Sequence, residues 1–155
     1  MAHGTFEPDV KKQQLEILLQ KVRGHPKPAP GLEQYSTPAT IAADVLWFAY
    51  GLGDIAGKKV VDLGCGTGIL GIGAKLLGAE EVISLDVDEA ALGVAMKNAS
   101  ALGVDLSLLT VDVKDFPEPA DTVVMNPPFG AQKSDAHADM SFLERALATA
   151  PVTYT

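Results

Sequence analysis

From Lys58 onward the sequence alternates apolar runs with helix-forming stretches, and this alternation constrains the fold more than any other feature. Four runs have the length and content of buried strands: residues 58–64, 81–88, 104–112 and 121–126. Three other segments have helical patterns: residues 68–79, 88–103 and 139–150. Strands that alternate with helices form parallel sheets with right-handed crossovers. The sequence therefore predicts an α/β fold, a mostly parallel sheet flanked by helices.

Two helices are predicted before this alternating region. The first covers residues 8–24, where apolar side chains recur at helical spacing and Gly24 provides the stop. A proline-rich connector, residues 25–31, follows. The second helix begins where Thr37 can cap it, with Pro38 at the first helical position. Its predicted apolar face comprises Ile41, Val45, Leu46, Phe48 and Ala49.

The length of 155 residues predicts one domain, residues 1–155. We divide it into an N-terminal helical extension, residues 1–56, and a core, residues 57–155. The last five residues, "PVTYT", resemble a fifth strand cut short, which would leave an unprotected edge inside the sheet. We therefore expect the natural protein to continue beyond this C-terminus, with its last strands missing here.

Composition sets weaker limits. The single cysteine, Cys65, excludes an internal disulfide and fits a reducing cytoplasm. No apolar run approaches the roughly 18 residues of a membrane span, so no membrane partner is expected. His3, His25 and His137 show no ligand spacing, and no metal site is predicted.

The charge distribution does not indicate nucleic-acid binding. The net charge is −8, with twelve basic and twenty acidic residues. Residues 1–35 contain five basic and four acidic side chains, whereas the remaining residues contain seven and sixteen. Contact with a polyanion is therefore expected near the N-terminal segment or on a partner.

A glycine-rich turn, "VVDLGCGTGILG" at residues 60–71, follows a predicted strand and opens a predicted helix. In α/β sheets this is where ligands bind. Gly64, Gly66 and Gly68 allow the backbone to approach a bound nucleoside. Residues 66–71 also satisfy the dinucleotide pattern G-x-G-x-x-G, which leaves a nicotinamide cofactor open.

Three carboxylates are predicted at the same edge of the sheet. Asp86 ends the second strand, where a carboxylate accepts hydrogen bonds from ribose hydroxyls. Asp62 ends the first strand, where it would repel a pyrophosphate but suit a ligand with a free ammonium group. Asp112 ends the third strand and could accept from an adenine amino group. Together they favour S-adenosyl-L-methionine, which carries a sulfonium and an ammonium and no phosphate.

The block Asn126-Pro127-Pro128-Phe129 stops the fourth strand abruptly. This strand is expected beside the first, so Asn126 would emerge near the reactive end of the cofactor. The Asn126 side-chain oxygen and the Pro127 carbonyl could each accept one N–H of an exocyclic amine and orient its lone pair. The prolines stiffen the backbone, and Phe129 offers a face for a flipped base.

These motifs resemble a known family. "DLGCGTG", the acidic end of the second strand and "NPPF" resemble the Rossmann-like class I S-adenosylmethionine-dependent methyltransferases that modify exocyclic or amide nitrogens. The wider stretches "LEQYSTPATIAADVLW", "LDVDEAAL" and "ADMSFLERAL" are similar to the methyltransferase-like rRNA adenine-N6 methylases of archaea and eukaryotes. The resemblance covers residues 32–150 and implies methylation of an adenosine in small-subunit ribosomal RNA.

The resemblance also implies roles for particular residues. Gln34 and Thr37 would close over the methionine end of the cofactor, Thr67 and Ile69 would belong to the glycine loop, and Val113 would join the adenine contacts. It further implies a small zinc-binding activator protein as a partner. Relatives continue with three more strands whose basic residues help to grip RNA, and this chain lacks them.

Other functions remain open from the sequence. The same chemistry could act on DNA adenine or on a protein glutamine, since Asn-Pro-Pro-aromatic blocks serve those substrates as well. The G-x-G-x-x-G hexad allows a nicotinamide-dependent oxidoreductase. A catalytically silent, cofactor-binding fragment is the third alternative.

Overall fold

The chain folds around a five-stranded parallel sheet. The computed structural model describes residues 10–25, 37–116, 118–127 and 136–155, without the side chains of residues 136–139. The strands are β1 (Lys59–Leu63), β2 (Glu81–Asp86), β3 (Ser107–Thr110), β4 (Thr122–Met125) and β5 (Val152–Tyr154). The helices are α1 (Lys12–Leu19), α2 (Ala39–Gly51), α3 (Ile69–Leu76), α4 (Glu89–Ala101) and α5 (Ala136–Thr149), with a short 3-10 helix at Val113–Asp115. The predicted α/β fold is confirmed.

The order of the strands places one crevice in the sheet. The order is β3-β2-β1-β4-β5, and all four pairings are parallel. The chain winds outward from β1 through β2 and β3, then returns to the other side of β1 as β4. Sheets of this kind bind ligands at the carboxyl ends of the strands where the winding reverses. The expected site therefore lies between the ends of β1 and β4.

Apolar side chains alternate across the sheet and fill a layer on each face. Val60, Val82 and Val124 point into the layer formed with α1, α2 and α3. Val61 and Val123 point into the opposite layer, which includes residues of the 3-10 segment and α5. Each fully buried aliphatic side chain contributes about 1.5–3 kcal/mol, so both layers hold the strand ends in place.

Helix α1 is shorter than predicted, since it ends at Leu19 rather than near Gly24. Asn98 of α4 binds the backbone of the segment after α1. The Arg23 N–H donates to Asn98 Oδ1 at 3.0 Å, and Asn98 Nδ2 donates to the Arg23 carbonyl at 3.0 Å. The same Nδ2 donates to the Thr67 carbonyl at 2.9 Å. Asn98 thus ties the segment after α1 to the glycine turn.

Helix α2 begins differently from the prediction. Pro38 occupies the N-cap position instead of the first helical position, and no side chain caps the helix, so the expected cap by Thr37 is wrong. The Thr37 hydroxyl is engaged by Asn126 instead.

The predicted apolar face of α2 is partly wrong. Leu46 and Ala49 are buried as expected, but Ile41 and Phe48 are 54% and 63% exposed. The helix turns Leu46 toward α3, where its Cδ1 would overlap a Cβ added at Gly73. Glycine at this position therefore leaves room for the buried side of α2.

No helix in the ranges described above is long and apolar enough to cross a membrane.

Candidate active site

The glycine turn after β1 needs its three alternate glycines for different reasons. Gly64, Gly66 and Gly68 all have positive φ, at 68°, 54° and 95°. A Cβ at Gly64 would lie 2.6 Å from the Phe142 ring, and one at Gly68 would lie 3.1 Å from the Ala95 Cβ. A Cβ at Gly66 would meet nothing within 4 Å. Of the three, Gly66 therefore faces open space that a ligand could fill.

Asp86 ends β2, as predicted, and its carboxylate holds the glycine turn. Oδ2 accepts from the Gly66 N–H at 2.9 Å, and Oδ1 accepts from the Asp88 N–H at 2.9 Å. A carboxylate oxygen can accept more than one hydrogen bond, so both retain capacity for ligand hydroxyls. Asp86 can thus position the turn and contact a ligand at the same time.

Asp62 lies beneath the glycine turn and is only 1% exposed. Its Oδ2 accepts from the Gly71 N–H at 3.1 Å, whereas its Oδ1 has no partner among the described residues. Burial raises the pKa of Asp62 to about 7; the Gly71 hydrogen bond opposes this shift, and the charge of Asp86 adds to it. A buried carboxylate oxygen without a partner is costly, and a cation placed near it would offset that cost.

A cavity of about 280 Å³ adjoins the turn. Three of the predicted cofactor residues line it: Thr37, Thr67 and Ile69. Its other side was not predicted; it comes from the end of α1 and the segment after it, with one residue of α2: Leu19, Gln20, Val22, Gly24 and Ala39. No local pattern connects those residues to the turn. Their place depends on the backbone contacts of Asn98.

The third predicted carboxylate lies slightly outside the sheet. β3 ends at Thr110 and not at Asp112, so the predicted strand end is wrong by two residues. Asp112 caps the 3-10 helix by accepting from the Lys114 N–H at 3.1 Å. The Val113 side chain is buried with the second apolar layer, which leaves its backbone for any contact with adenine. The adenine-binding role of Asp112 and Val113 stays a prediction.

Asn126 emerges where the sheet topology requires. β1 and β4 are in register with Leu63 opposite Met125, so Gly64 and Asn126 leave the sheet side by side. The Asn126 side chain is exposed, and its Nδ2 donates to Thr37 Oγ1 at 2.8 Å. Its Oδ1 has no partner within the described ranges. The fold thus brings together Asn126, Thr37 and the glycine turn.

The rest of the predicted clamp is only partly visible. Pro127 is buried directly after Asn126. Pro128, Phe129 and Gln34 lie outside the described residues, so their predicted roles stay predictions.

Cys65 and His25 do not extend the site. Burial raises the pKa of the Cys65 thiol, and the charges of Asp62 and Asp86 raise it further, which opposes a role as a nucleophile. His25 Nε2 lies 3.0 Å from Asp88 Oδ2, the carboxylate that caps α4. Within the described part of the chain, no three His, Cys, Asp or Glu side chains are grouped to hold a metal ion.

Comparison with known structures supports the fold. A crystal structure of a candidate RNA methyltransferase from Pyrococcus horikoshii matches with a TM-score of 0.86 and 46% sequence identity, over 92% of this chain and 71% of that chain. The crystal structure of a Thermoplasma acidophilum protein numbered 1320 matches with a TM-score of 0.72 and 35% sequence identity, over 90% of this chain and 67% of that chain. Both share the architecture described above.

Sequence comparisons agree. The model of the Methyltransferase small domain family matches residues 46–151. The rRNA N(6)-adenosine-methyltransferase METTL5 of Danio rerio is 38% identical over 91% of this chain and 70% of its own length. The Drosophila melanogaster Mettl5 is 40% identical over 89% and 68%. This chain therefore belongs to the methyltransferase small domain family and, within it, to the family of METTL5-type rRNA N(6)-adenosine-methyltransferases.

Proposed function

We propose that this chain transfers a methyl group from S-adenosyl-L-methionine to the N6 amine of an adenosine in ribosomal RNA, and specifically in small-subunit rRNA. The observation that carries the proposal is the position of Asn126. Asn126 follows the end of β4 beside Gly64, which follows the end of β1, at the point where the winding of the sheet reverses. Its Oδ1 has no partner among the described residues, whereas its Nδ2 is bound to Thr37. The names of the relatives in Danio rerio and Drosophila melanogaster support the choice of rRNA adenosine.

The residues at the turn fit S-adenosylmethionine better than a dinucleotide. Asp62 Oδ1 is a buried acceptor without a described partner, which suits a cation and would repel a pyrophosphate. The hexad that suggested a nicotinamide also has a packing explanation. A Cβ at Gly71, its third glycine, would lie 2.5 Å from Ser84 Oγ, so packing of α3 on the sheet requires glycine there. Dinucleotide-binding folds use their third glycine in the same way, so the choice of cofactor rests on Asp62 and not on the hexad.

The cofactor would be held by the turn and the cavity beside it. Asp86 would accept from the ribose, and Thr37, Thr67 and Ile69 would line the pocket. When bound, S-adenosylmethionine supplies an electrophilic methyl group.

The chain itself orients the amine that accepts the methyl. Asn126 Oδ1 and the Pro127 carbonyl would each accept one N–H of the adenine amine, which draws its lone pair out of conjugation with the ring. Pro127 is buried and its ring fixes φ, and the proline that follows it in the sequence restricts its ψ, so its carbonyl has few available directions. Neither group is a strong base, so the rate gain comes from orientation.

Replacing Asp86 should weaken the binding of the cofactor. Asp86→Ala would leave the ribose hydroxyls without an acceptor and would remove the hydrogen bond that the Gly66 N–H donates to Asp86. We therefore expect a loss of about 1–3 kcal/mol in binding free energy. Calorimetric titration with S-adenosylmethionine measures it. Asp105→Ala, which removes an exposed carboxylate, is the matched control and should change nothing. An unchanged dissociation constant for Asp86→Ala would remove Asp86 from the binding site.

Asp62 should make stability depend on pH. Its pKa is raised from 3.8 to about 7, so the folded state favours the protonated form. This contribution to stability is complete below pH 3.8 and is lost as the pH rises to about 7. We expect the unfolding free energy of the wild type to fall relative to that of Asp62→Asn as the pH rises through that window, by at most about 1.4 kcal/mol per pH unit. Urea unfolding of both proteins from pH 4 to 8 tests it, and parallel profiles would contradict it.

The proposed function is tested by methyl transfer. Tritiated S-adenosylmethionine is incubated with the chain and with small-subunit rRNA, large-subunit rRNA, DNA or a glutamine-containing protein substrate. We expect label in small-subunit rRNA, recovered as N6-methyladenosine after digestion. Unlabelled RNA beside labelled DNA or protein would support the alternative substrates instead. Cofactor binding with no transfer to any substrate would indicate a silent fragment.

The partner implied by the resemblance and the cytoplasmic location indicated by the single cysteine remain predictions. The assay is therefore run with and without a small zinc-binding activator protein. A cytoplasmic location would place the chain with its proposed rRNA substrate.

A further inference from the structure

We propose that Thr37 is a positioning residue for Asn126, an inference that rests on the proposed function. The Thr37 hydroxyl oxygen accepts from Asn126 Nδ2 at 2.8 Å, although the two residues are 89 positions apart in the sequence. This contact turns the amide so that its Oδ1, the atom that would accept from the substrate amine, points away from Thr37.

The orientation of the amide decides whether Asn126 can work. The oxygen and nitrogen of an asparagine side chain exchange places when the amide rotates by half a turn. In the opposite orientation Nδ2 would face the substrate amine, and two donors would meet. Asn126 is exposed, so apolar packing does not hold the amide in one orientation. The hydrogen bond to Thr37 holds this exposed side chain in place at the reaction site. Because a hydroxyl both accepts and donates, the substrate amine, which needs an acceptor, completes the selection of the orientation in which Oδ1 faces it.

Thr37 is well suited to hold the Asn126 side chain. It directly precedes Pro38 and α2, whose Ala42, Ala43 and Leu46 are fully buried. The packed helix therefore fixes the position of the Thr37 backbone. The hydroxyl is also not used to cap α2, as helix-preceding threonines often are.

Two measurements separate this role from cofactor binding. Thr37 also lines the cavity beside Thr67 and Ile69. If the hydroxyl served the cofactor alone, its loss would change the cofactor dissociation constant. If it orients Asn126, its loss lowers kcat and leaves that constant nearly unchanged.

The experiment compares Thr37→Val, which removes the hydroxyl at constant shape, with Thr37→Ser, which keeps it. The matched control is Thr40→Val, because Thr40 lies three residues after Thr37, in the first turn of α2, and its hydroxyl donates to Glu16 Oε1 instead. Rates of methyl transfer to rRNA, dissociation constants for S-adenosylmethionine, and nitrogen-15 NMR spectra of the side-chain amides are measured. The Asn126 amide signal is identified by its absence in Asn126→Ala.

We expect Thr37→Val to lower kcat by about 5–10-fold, the equivalent of one exposed hydrogen bond, and to shift the Asn126 amide signal. Thr37→Ser should restore both, and Thr40→Val should change neither. Adding Thr37→Val to Asn126→Ala should cause no further loss of kcat. An unchanged Asn126 amide signal in Thr37→Val, or a change confined to cofactor affinity, would overturn the inference. Failure of the wild-type chain to methylate rRNA would instead contradict the proposed function, and the amide spectrum would still report on the contact.

Discussion

Replacement of Asn126 by alanine is expected to lower kcat for methyl transfer by about 10²–10⁴-fold, the usual effect of removing one group that acts on the reacting atoms. The side chain is exposed, and its hydrogen bond to Thr37 is the single one it makes within the described residues. Its removal should therefore cost little stability. It also lies beside the glycine turn without forming part of it, so the cofactor dissociation constant should hardly change.

Three measurements on the same preparation test this expectation. Single-turnover methyl transfer gives the rate, calorimetry gives the affinity for S-adenosylmethionine, and thermal unfolding gives the stability. Gln13→Ala is the control, because it removes another exposed amide, one that lies in α1. An equal fall in rate and cofactor affinity, or a large fall in the melting temperature, would mean that Asn126 is structural.

Much of this fold was predictable because its signals are local. The apolar runs locate the strands to within a few residues, and Asp88 caps α4 through its Oδ1, as its place before a helical segment suggests. The position of β4 beside β1 follows from general rules of parallel α/β sheets, and the pairing of Leu63 with Met125 confirms it. Asp86 is found at the end of β2 because it closes the apolar run that predicted this strand.

The features that escaped prediction depend on contacts between distant parts of the chain. Asn98 is an ordinary helical residue in the sequence, yet it binds the backbone of Arg23, 75 positions away. Thr37 carries a typical capping signal, but Asn126 engages its hydroxyl across 89 positions. Phe48 fits an apolar helical face and is nevertheless exposed. Local periodicity contains no information about which of several apolar directions a neighbouring helix will cover.

The glycine turn shows the same limit and leads to the second large effect. The sequence pattern predicts the same role for Gly64 and Gly66, which is to let a ligand approach the backbone. In the structure both have positive φ, but only Gly64 is covered, by the Phe142 ring of α5. An alanine at either position should cost about 1–2 kcal/mol for the left-handed backbone. At Gly64 it should cost about 1–3 kcal/mol more, because its Cβ overlaps the ring.

We therefore expect Gly64→Ala to lower the unfolding free energy more than Gly66→Ala does. For the same loss of unfolding free energy, we expect Gly66→Ala to weaken cofactor binding more than Gly64→Ala does. The second effect follows because a Cβ at Gly66 projects into space that is otherwise open. Denaturant unfolding and calorimetry measure both quantities. In a double-mutant cycle, Phe142→Ala should partly offset Gly64→Ala and not Gly66→Ala. Equal losses of stability for the two alanine variants would show that the ring yields without cost and that Gly64 is needed for its backbone conformation alone.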